Sequence, residues 1–392
     1  MSIRIVGDEC CGCRACLQKC NLNAITMVND AYGFEYPRVD SDKCVECGLC
    51  ESTCPILHIK KNPPEVYACG MAYALDGETK EQGSSGGMFG VLARAVIAQG
   101  GIVYGAALDR ELKLKTTGAE TVDQLLPLYK SKYLLCDTNG KFCEIEAQLK
   151  KGRAVMYCSS PCQISALKSY LKADYENLIT VDFVCHGVGS QSLFDGSVAY
   201  FERKNKIKID NMVFRCKRSD ASSHQYTYTY SKNGRTVTDW DLYFSFPYYN
   251  AYCKQLVYRN ECYQCKYATH ERTGDITVGD FHTVKKYDST VDRFAGVSMI
   301  LVNTEKGKRI FDSVEKDIFF KPMDKEVLYV NNRFSTGEKK PAEYDAFMEC
   351  FKNEGFDKTV KRYLLPRRDW MKIIYYKSPR FIRNMAVKLL MR

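Results

Sequence analysis

The chain has 392 residues, 20 cysteines and a formal net charge of +10, from 57 Lys+Arg against 47 Asp+Glu. With 45% hydrophobic and 27% charged residues, the composition excludes a disordered or collagen-like chain, and at this length a full core needs no disulfide staples. No run of about 18 uncharged apolar residues is present, which excludes a spanning helix. The opening Met1-Ser2-Ile3-Arg4-Ile5-Val6-Gly7-Asp8 has no apolar secretory core. Many cysteines without a secretory signal predict reduced thiols in the cytoplasm, and therefore metal or redox chemistry. The length predicts two or three domains.

Nine of the cysteines fall within residues 10–54. Cys10, Cys13, Cys16 and Cys20 follow C-x2-C-x2-C-x3-C. Cys44, Cys47, Cys50 and Cys54 repeat it, and Pro55 completes C-P. This is the bacterial two-cluster ferredoxin pattern, in which the fourth cysteine of each run ligates the other cluster. The pattern predicts one [4Fe-4S] cluster on Cys10, Cys13, Cys16 and Cys54, and a second on Cys44, Cys47, Cys50 and Cys20. A structural zinc site would need only two spaced pairs, not two full runs. Asn21 stands where a proline is usual, and the extra Cys11 is assigned no role. Residues 1–58 form the expected ferredoxin-type domain. Lys60-Lys61 and Pro63-Pro64 mark a linker, with a boundary near 56–66.

From 66 to 330 the pattern is mixed α/β. Gly83-Ser84-Ser85-Gly86-Gly87 opens an apolar-periodic helix (Met88, Val91, Leu92, Ala95, Val96) that Gly100-Gly101 ends. Ile102-Val103-Tyr104 reads as a strand. A helix near 140–150, a strand at 154–157, a helix from Pro161 to Leu171 and a strand at 179–184 follow, as βαβ units of a partly parallel sheet. Strands fill 207–240: Tyr226, Tyr228 and Tyr230 alternate with threonines as ordinary sheet packing, and Asn233-Gly234 signals a hairpin. The expected class is α+β or α/β, multidomain, with a small ferredoxin-like N-terminal domain ahead of a mixed-sheet α/β domain (66–150 and 151–330). There is no P-loop and no G-x-G-x-x-G fingerprint. Gly187-Val188-Gly189 comes nearest, with Ser192 in place of the third glycine, so a Rossmann-type NAD(P)H site is unsupported.

Several motifs in order carry a family resemblance: Ser84-Ser85-Gly86-Gly87, Ser131-Lys132-Tyr133, Pro161-Cys162-Gln163, Asp182-Phe183-Val184-Cys185-His186-Gly187, Cys262-x-x-Cys265, and Arg272 followed by Asp275-Ile276-Thr277-Val278-Gly279-Asp280-Phe281. Over about residues 1–320 the chain resembles the coenzyme F420 hydrogenase/dehydrogenase beta subunits, fused here to a ferredoxin domain. The resemblance implies an iron–sulfur flavoprotein with FAD beside a [4Fe-4S] cluster. Cys162 lies at a strand-to-helix turn and Cys185 ends the next strand, both at carboxyl ends of parallel strands, where sites collect. Spacing alone leaves Cys262 and Cys265 open as half a zinc knuckle, or as inert buried thiols. With the resemblance, Cys162, Cys185, Cys262 and Cys265 are the expected ligands of a third cluster. The loop carrying Ser84, Ser85, Gly86 and Gly87 is the flavin-diphosphate candidate, since small residues ahead of a helix let N–H groups approach phosphate. Lys132 is expected to add a cation and Tyr133 an aromatic face; the bland alternatives are a turn, a solvated lysine and a packed tyrosine. His186 and His282 are candidate proton donors. Two departures, His282-Thr283 where relatives continue Trp-Gly and Cys158-Ser159-Ser160 where relatives often have Ser-Gly-Thr, keep the substrate from being carried over.

The C-terminal region, 331–392, is expected to be helical and basic. Residues 357–392 hold 11 Lys/Arg against 2 Asp, nearly the whole net charge. A basic amphipathic helix over 380–392 suits an anionic membrane surface or an acidic partner, or a terminal helix packed on its own domain. No nucleic-acid module accompanies the charge. The sequence therefore predicts a cytoplasmic oxidoreductase, peripheral to the inner membrane surface if the tail binds lipid. Electrons would pass from a redox partner or reduced ferredoxin through three clusters to FAD, then to F420 or another substrate. The alternative is an electron-transfer subunit serving a separate reductase.

Overall fold

The computed structural model describes residues 3–63, 65–217, 224–291, 296–329, 334, 336–365 and 378. The cysteine-rich segment forms α1 (Ala15–Lys19), an antiparallel hairpin of β1 (Ile25–Asn29) and β2 (Glu35–Val39), and α2 (Leu49–Ser52). Its elements are short because the cysteine loops take up most of the chain.

The body is an α/β unit around an eight-stranded mixed sheet. In chain order come β3 (Ala68–Ala74), α3 (Gly77–Gln82), α4 (Met88–Ala98), β4 (Ile102–Leu108), β5 (Leu114–Ala119), α5 (Lys141–Lys150), β6 (Val155–Ser159), α6 (Pro161–Leu171), β7 (Leu178–Phe183) and α7 (Gln191–Asn205). There follow β8 (Ile209–Phe214), β9 (Gln225–Lys232), β10 (Arg235–Leu242), α8 (Pro247–Cys253), β11 (Ile276–Asp280), β12 (Ser298–Val302) and β13 (Ile318–Pro322). The sheet order is β13-β3-β12-β11-β7-β6-β4-β5. β4, β6, β7 and β11 are parallel neighbours. β3 and β11 both pair antiparallel with β12, so β3 runs the same way as the parallel set. Five strands thus deliver their following loops to one edge of the sheet.

Local chemistry sets these elements. α4 buries Met88, Val91, Leu92 and Val96 on one side, and Gly100 at φ +74° ends it, with the Gly101 N–H donating to the Val96 carbonyl (3.0 Å). Pro161 opens α6, where its missing N–H is no loss. Asn233 and Gly234 both take positive φ in the β9–β10 turn, which matches the twist of a two-residue hairpin. The tyrosine ladder packs as expected: Tyr226 on Tyr228, and Tyr228 on Tyr230, with ring centroids 5.8 and 6.0 Å apart.

The cysteine-rich segment is docked on the body. Ile3, Ala15, Cys16 and Ile56 share one buried cluster with Phe142, Tyr157 and Leu167. The Thr138 hydroxyl donates to the Cys13 carbonyl (2.7 Å) and Tyr267 to the Pro55 carbonyl (2.6 Å). The expected linker is tied down too: the Asn62 N–H donates to the Arg272 carbonyl (2.7 Å). Residues 336–365 pack on the body. Tyr344, Phe347, Met348, Phe356, Val360 and Leu364 are buried in the aromatic core beside α7 and α8, because their apolar side chains cover a face those helices would otherwise expose. The amphipathic helix expected over 380–392 lies outside the described residues. Among the described residues, no helix is long and apolar enough to cross a membrane.

Candidate functional site

Two cysteine constellations lie in the N-terminal segment, and burial differs between them. Cys13, Cys16 and Cys54 are buried and Cys10 is half-buried, whereas Cys20, Cys44 and Cys50 are half-buried and Cys47 is exposed. We call the first set inner and the second outer. Burial, then the neighbouring Cys10 and Cys54 sulfurs, push the Cys16 thiol far above its ordinary value. Such crowded thiols ionise together only around a cationic centre, which is the chemistry of an iron–sulfur donor set. Backbone N–H groups already face the sulfurs: Gly12 donates to Cys10 Sγ and Ala24 to Cys20 Sγ, each at 3.3 Å.

The third set comes from three separate segments of the body. Cys162 opens α6 just past β6, Cys185 lies two residues past β7, and Cys262 and Cys265 sit on the loop leading to β11. All four line one small cavity. Burial leads the rise of the Cys185 thiol to about 12 and of Cys265 to about 11, with Cys162 adding to both. Among the described residues, no three His, Cys, Asp or Glu side chains converge as a single metal ion requires. Cys11, which spacing left without a role, lines the same cavity. Its buried thiol sits between Cys13 and Cys162, close enough to shift with both.

A buried arginine fixes this arrangement. Arg272 Nη2 donates to Asp182 Oδ1 (3.1 Å) and to the Phe183 carbonyl (3.2 Å), and Nη1 donates to the Tyr267 carbonyl (3.3 Å). Asp182 Oδ2 accepts from the N–H groups of Thr273 (3.2 Å) and Gly274 (2.9 Å) and from the Thr273 hydroxyl (3.0 Å). The Cys265 loop is thereby clamped to the end of β7, next to Cys185.

A cavity of about 850 Å³ opens at the carboxyl edge of the sheet and shares Cys185 and His186 with the small one. It lies within the range for a small-molecule or cofactor site. Ser84, Ser85, Gly87, Lys132, Tyr133 and His282 also line it. Gly86 does not: it packs on the Ala72 carbonyl, and its N–H donates to Ser298 Oγ (2.9 Å), so it is unavailable to a phosphate. Ser84 Oγ accepts from the Ser131 N–H (2.7 Å), pinning the two loops together. Lys132 Nζ donates to the Pro127 (2.8 Å) and Tyr129 (2.5 Å) carbonyls, and burial pulls its pKa down to about 7. The Tyr133 ring stacks on Tyr249, centroids 5.0 Å apart. His186 Nδ1 is 3.1 Å from Glu338 Oε1, and His282 Nε2 is 3.7 Å from Asp280 Oδ2.

Sequence reasoning missed several cavity residues. Arg215 is buried and pairs with Asp280 (2.7 Å). Burial alone would raise the Asp280 carboxyl, but the Arg215 guanidinium overrides it and holds it well below the usual range. Lys217, pulled to about 7 chiefly by burial, lines the cavity, as do Cys136, Cys158, Cys216 and Cys253. The nearest signal was the Gly279-Asp280-Phe281 motif, which had no partner in the sequence until β8 ended beside it.

Set against known protein families, the chain is an iron–sulfur electron-transfer protein. Residues 9–56 match the 4Fe-4S dicluster domain. Residues 152–326 match the family described as the C terminus of the coenzyme F420 hydrogenase/dehydrogenase beta subunit. Two separate segments of the chain thus match a dicluster model and the C-terminal model of that family, as the motifs led one to expect. One similar solved structure is a chain of the xenon-derivatised F420-reducing [NiFe] hydrogenase complex from Methanosarcina barkeri. It is 16% identical, with a TM-score of 0.44 over 77% of this chain and 94% of that chain. No curated protein matches the sequence.

Proposed function

We propose that this protein is an iron–sulfur flavoprotein oxidoreductase. Electrons would arrive from a redox partner at the outer cluster and pass by the inner cluster and a third cluster to FAD, and then to F420 or another substrate. The observation carrying this reading is the pair of adjoining cavities, one lined by Cys162, Cys185, Cys262 and Cys265 and the other large enough for a dinucleotide, with Cys185 and His186 between them. FAD, when bound, supplies the exchange between single electrons and electron pairs.

The chain's own residues do the rest. Ser84, Ser85 and Gly87 line one wall for a diphosphate, with Lys132 and Lys217 as cations. His186, oriented by Glu338, and His282, near Asp280, stand where a proton could be passed to a substrate. The exposed Cys47, beside the exposed Val45, gives the outer cluster a face for a partner protein.

Anaerobic purification with iron, zinc and flavin quantified together tests the reading. It predicts about twelve iron atoms per chain, four for each cubane, and one FAD. About eight iron would remove the third cluster, and absence of flavin would remove the flavoprotein. Turnover of the isolated chain with reduced ferredoxin separates an enzyme from a subunit serving another reductase.

A further inference from the structure

Arg259 is fully buried and stands between the inner cysteine set and the cavity of the third one. Nε donates to the Cys10 carbonyl, and Nη2 donates to the Glu35 carbonyl at 3.1 Å. The guanidinium lies 4.1 Å from the Tyr36 ring centroid. On the other side, its backbone N–H donates to the Val188 carbonyl (2.8 Å), and Arg259 is among the residues lining the cavity of Cys162, Cys185, Cys262 and Cys265.

What sets Arg259 apart is that, among the described residues, its guanidinium makes no ion pair, although Glu261 on the same cavity feels its charge. The buried Arg272 pairs with Asp182, and the buried Arg215 with Asp280. Arg259 donates to two carbonyls, lies over the Tyr36 ring and acts on the Cys10 thiol, and among the described residues its Nη1 has no hydrogen-bond partner. A buried cation left uncompensated is strongly destabilising. Four thiolates around a [4Fe-4S] core carry a net negative charge, which grows by one on reduction, and the potential of such a cluster responds to nearby charge. Gly12 keeps this approach open: a Cβ there would lie 3.4 Å from Nη1 and 2.6 Å from Leu135.

We propose that Arg259 is the counter-charge of the inner cluster, a positioning residue that raises its reduction potential and holds the transferred electron next to the third cysteine set. The last clause rests on the third-cluster reading above; the effect on the inner cluster does not.

The test is an EPR-monitored redox titration of the anaerobically purified full chain, with iron counted, comparing wild type, R259Q and R259K. The outer cluster is identified by its loss in Cys47→Ala. R259Q should lower the inner-cluster reduction equilibrium about tenfold, about 59 mV for a one-electron couple, and leave the outer cluster unmoved. R259K keeps the charge and should stay within about threefold of wild type. Iron loss confined to R259Q also supports the proposal, because lysine retains the charge but not the forked geometry. An unchanged inner-cluster potential in fully loaded R259Q overturns it. Equal loss of inner-cluster iron in R259K and R259Q overturns it too, since the carbonyl bonds would then be the whole role. About eight iron in wild type retires the third cluster and leaves the Arg259 effect to be judged on the inner cluster alone.

Discussion

Asp182→Asn is the sharpest probe of the site's scaffold. Asp182 and Arg272 are 0% and 2% exposed at their side chains. Oδ2 faces three donors and Oδ1 faces the guanidinium. An asparagine of the same shape must turn its NH2 toward one of these groups, so it strands either the guanidinium or the Thr273–Gly274 turn. Removing one partner of a buried ion pair costs about 3–5 kcal/mol. At about 2–4 °C per kcal/mol for a domain of this size, the thermal midpoint should fall by roughly 6–20 °C. The same loss frees the Cys265 loop from β7, so about four of twelve iron atoms should go while the dicluster iron stays. Anaerobic thermal unfolding followed by circular dichroism, with iron analysis, reads both effects. The double variant D182N/R272M should recover part of the midpoint, because no uncompensated cation remains. A double variant no more stable than D182N would refute the reasoning, by showing that the stranded charge is not the cause.

Three further outcomes are expected. Burial first pulls Lys132 and Lys217 from 10.5 to about 7, so above that pH the free cavity holds them neutral and a diphosphate must bring protons in. Flavin affinity, followed by fluorescence between about pH 6 and 9, should therefore fall with rising pH, by up to about tenfold per unit for each lysine; a flat profile would remove these lysines from the anion site. Gly87→Ala places a Cβ 2.8 Å from the Thr79 carbonyl at a φ of +85°. It should cost at least about 1–2 kcal/mol and lower flavin content, read by thermal midpoint and absorbance. Cys47→Ala should remove about four iron and abolish reduction by a protein donor, while a small chemical reductant still reduces the remaining centres; unimpaired reduction by the protein donor would place the partner face elsewhere.

The sequence was most legible where chemistry is local. Two complete cysteine runs announce a dicluster domain by spacing, Pro161 and Gly100 punctuate their helices, and Asn233-Gly234 makes its turn wherever it stands. The third cysteine set needed the resemblance, because Cys162 and Cys265 are 103 positions apart and only the sheet order joins them. Asp182 and Arg272 were visible as separate motifs, and their pairing was not, since nothing in a linear pattern says that a carboxylate near the end of one strand answers a guanidinium on the loop ahead of another. Gly86 was misplaced for a related reason: a glycine that lets a phosphate approach and a glycine that lets a strand approach look alike in sequence, and here Ser298 takes the N–H. Arg259 and Cys11 carried no signal of their own, because their meaning lies in the docking of one segment on another.

That docking bears on how the protein is made. Cys13, Cys16 and Cys54 are 5%, 7% and 6% exposed beneath the body of the fold, which leaves no room for a carrier protein to hand over iron and sulfide once the segment has closed. Cluster insertion must therefore precede closure, and the loaded segment then seals itself in. The half-exposed outer set can be filled or stripped at any time, so chelators and air should dismantle this protein from the outside inward, one cluster before the other.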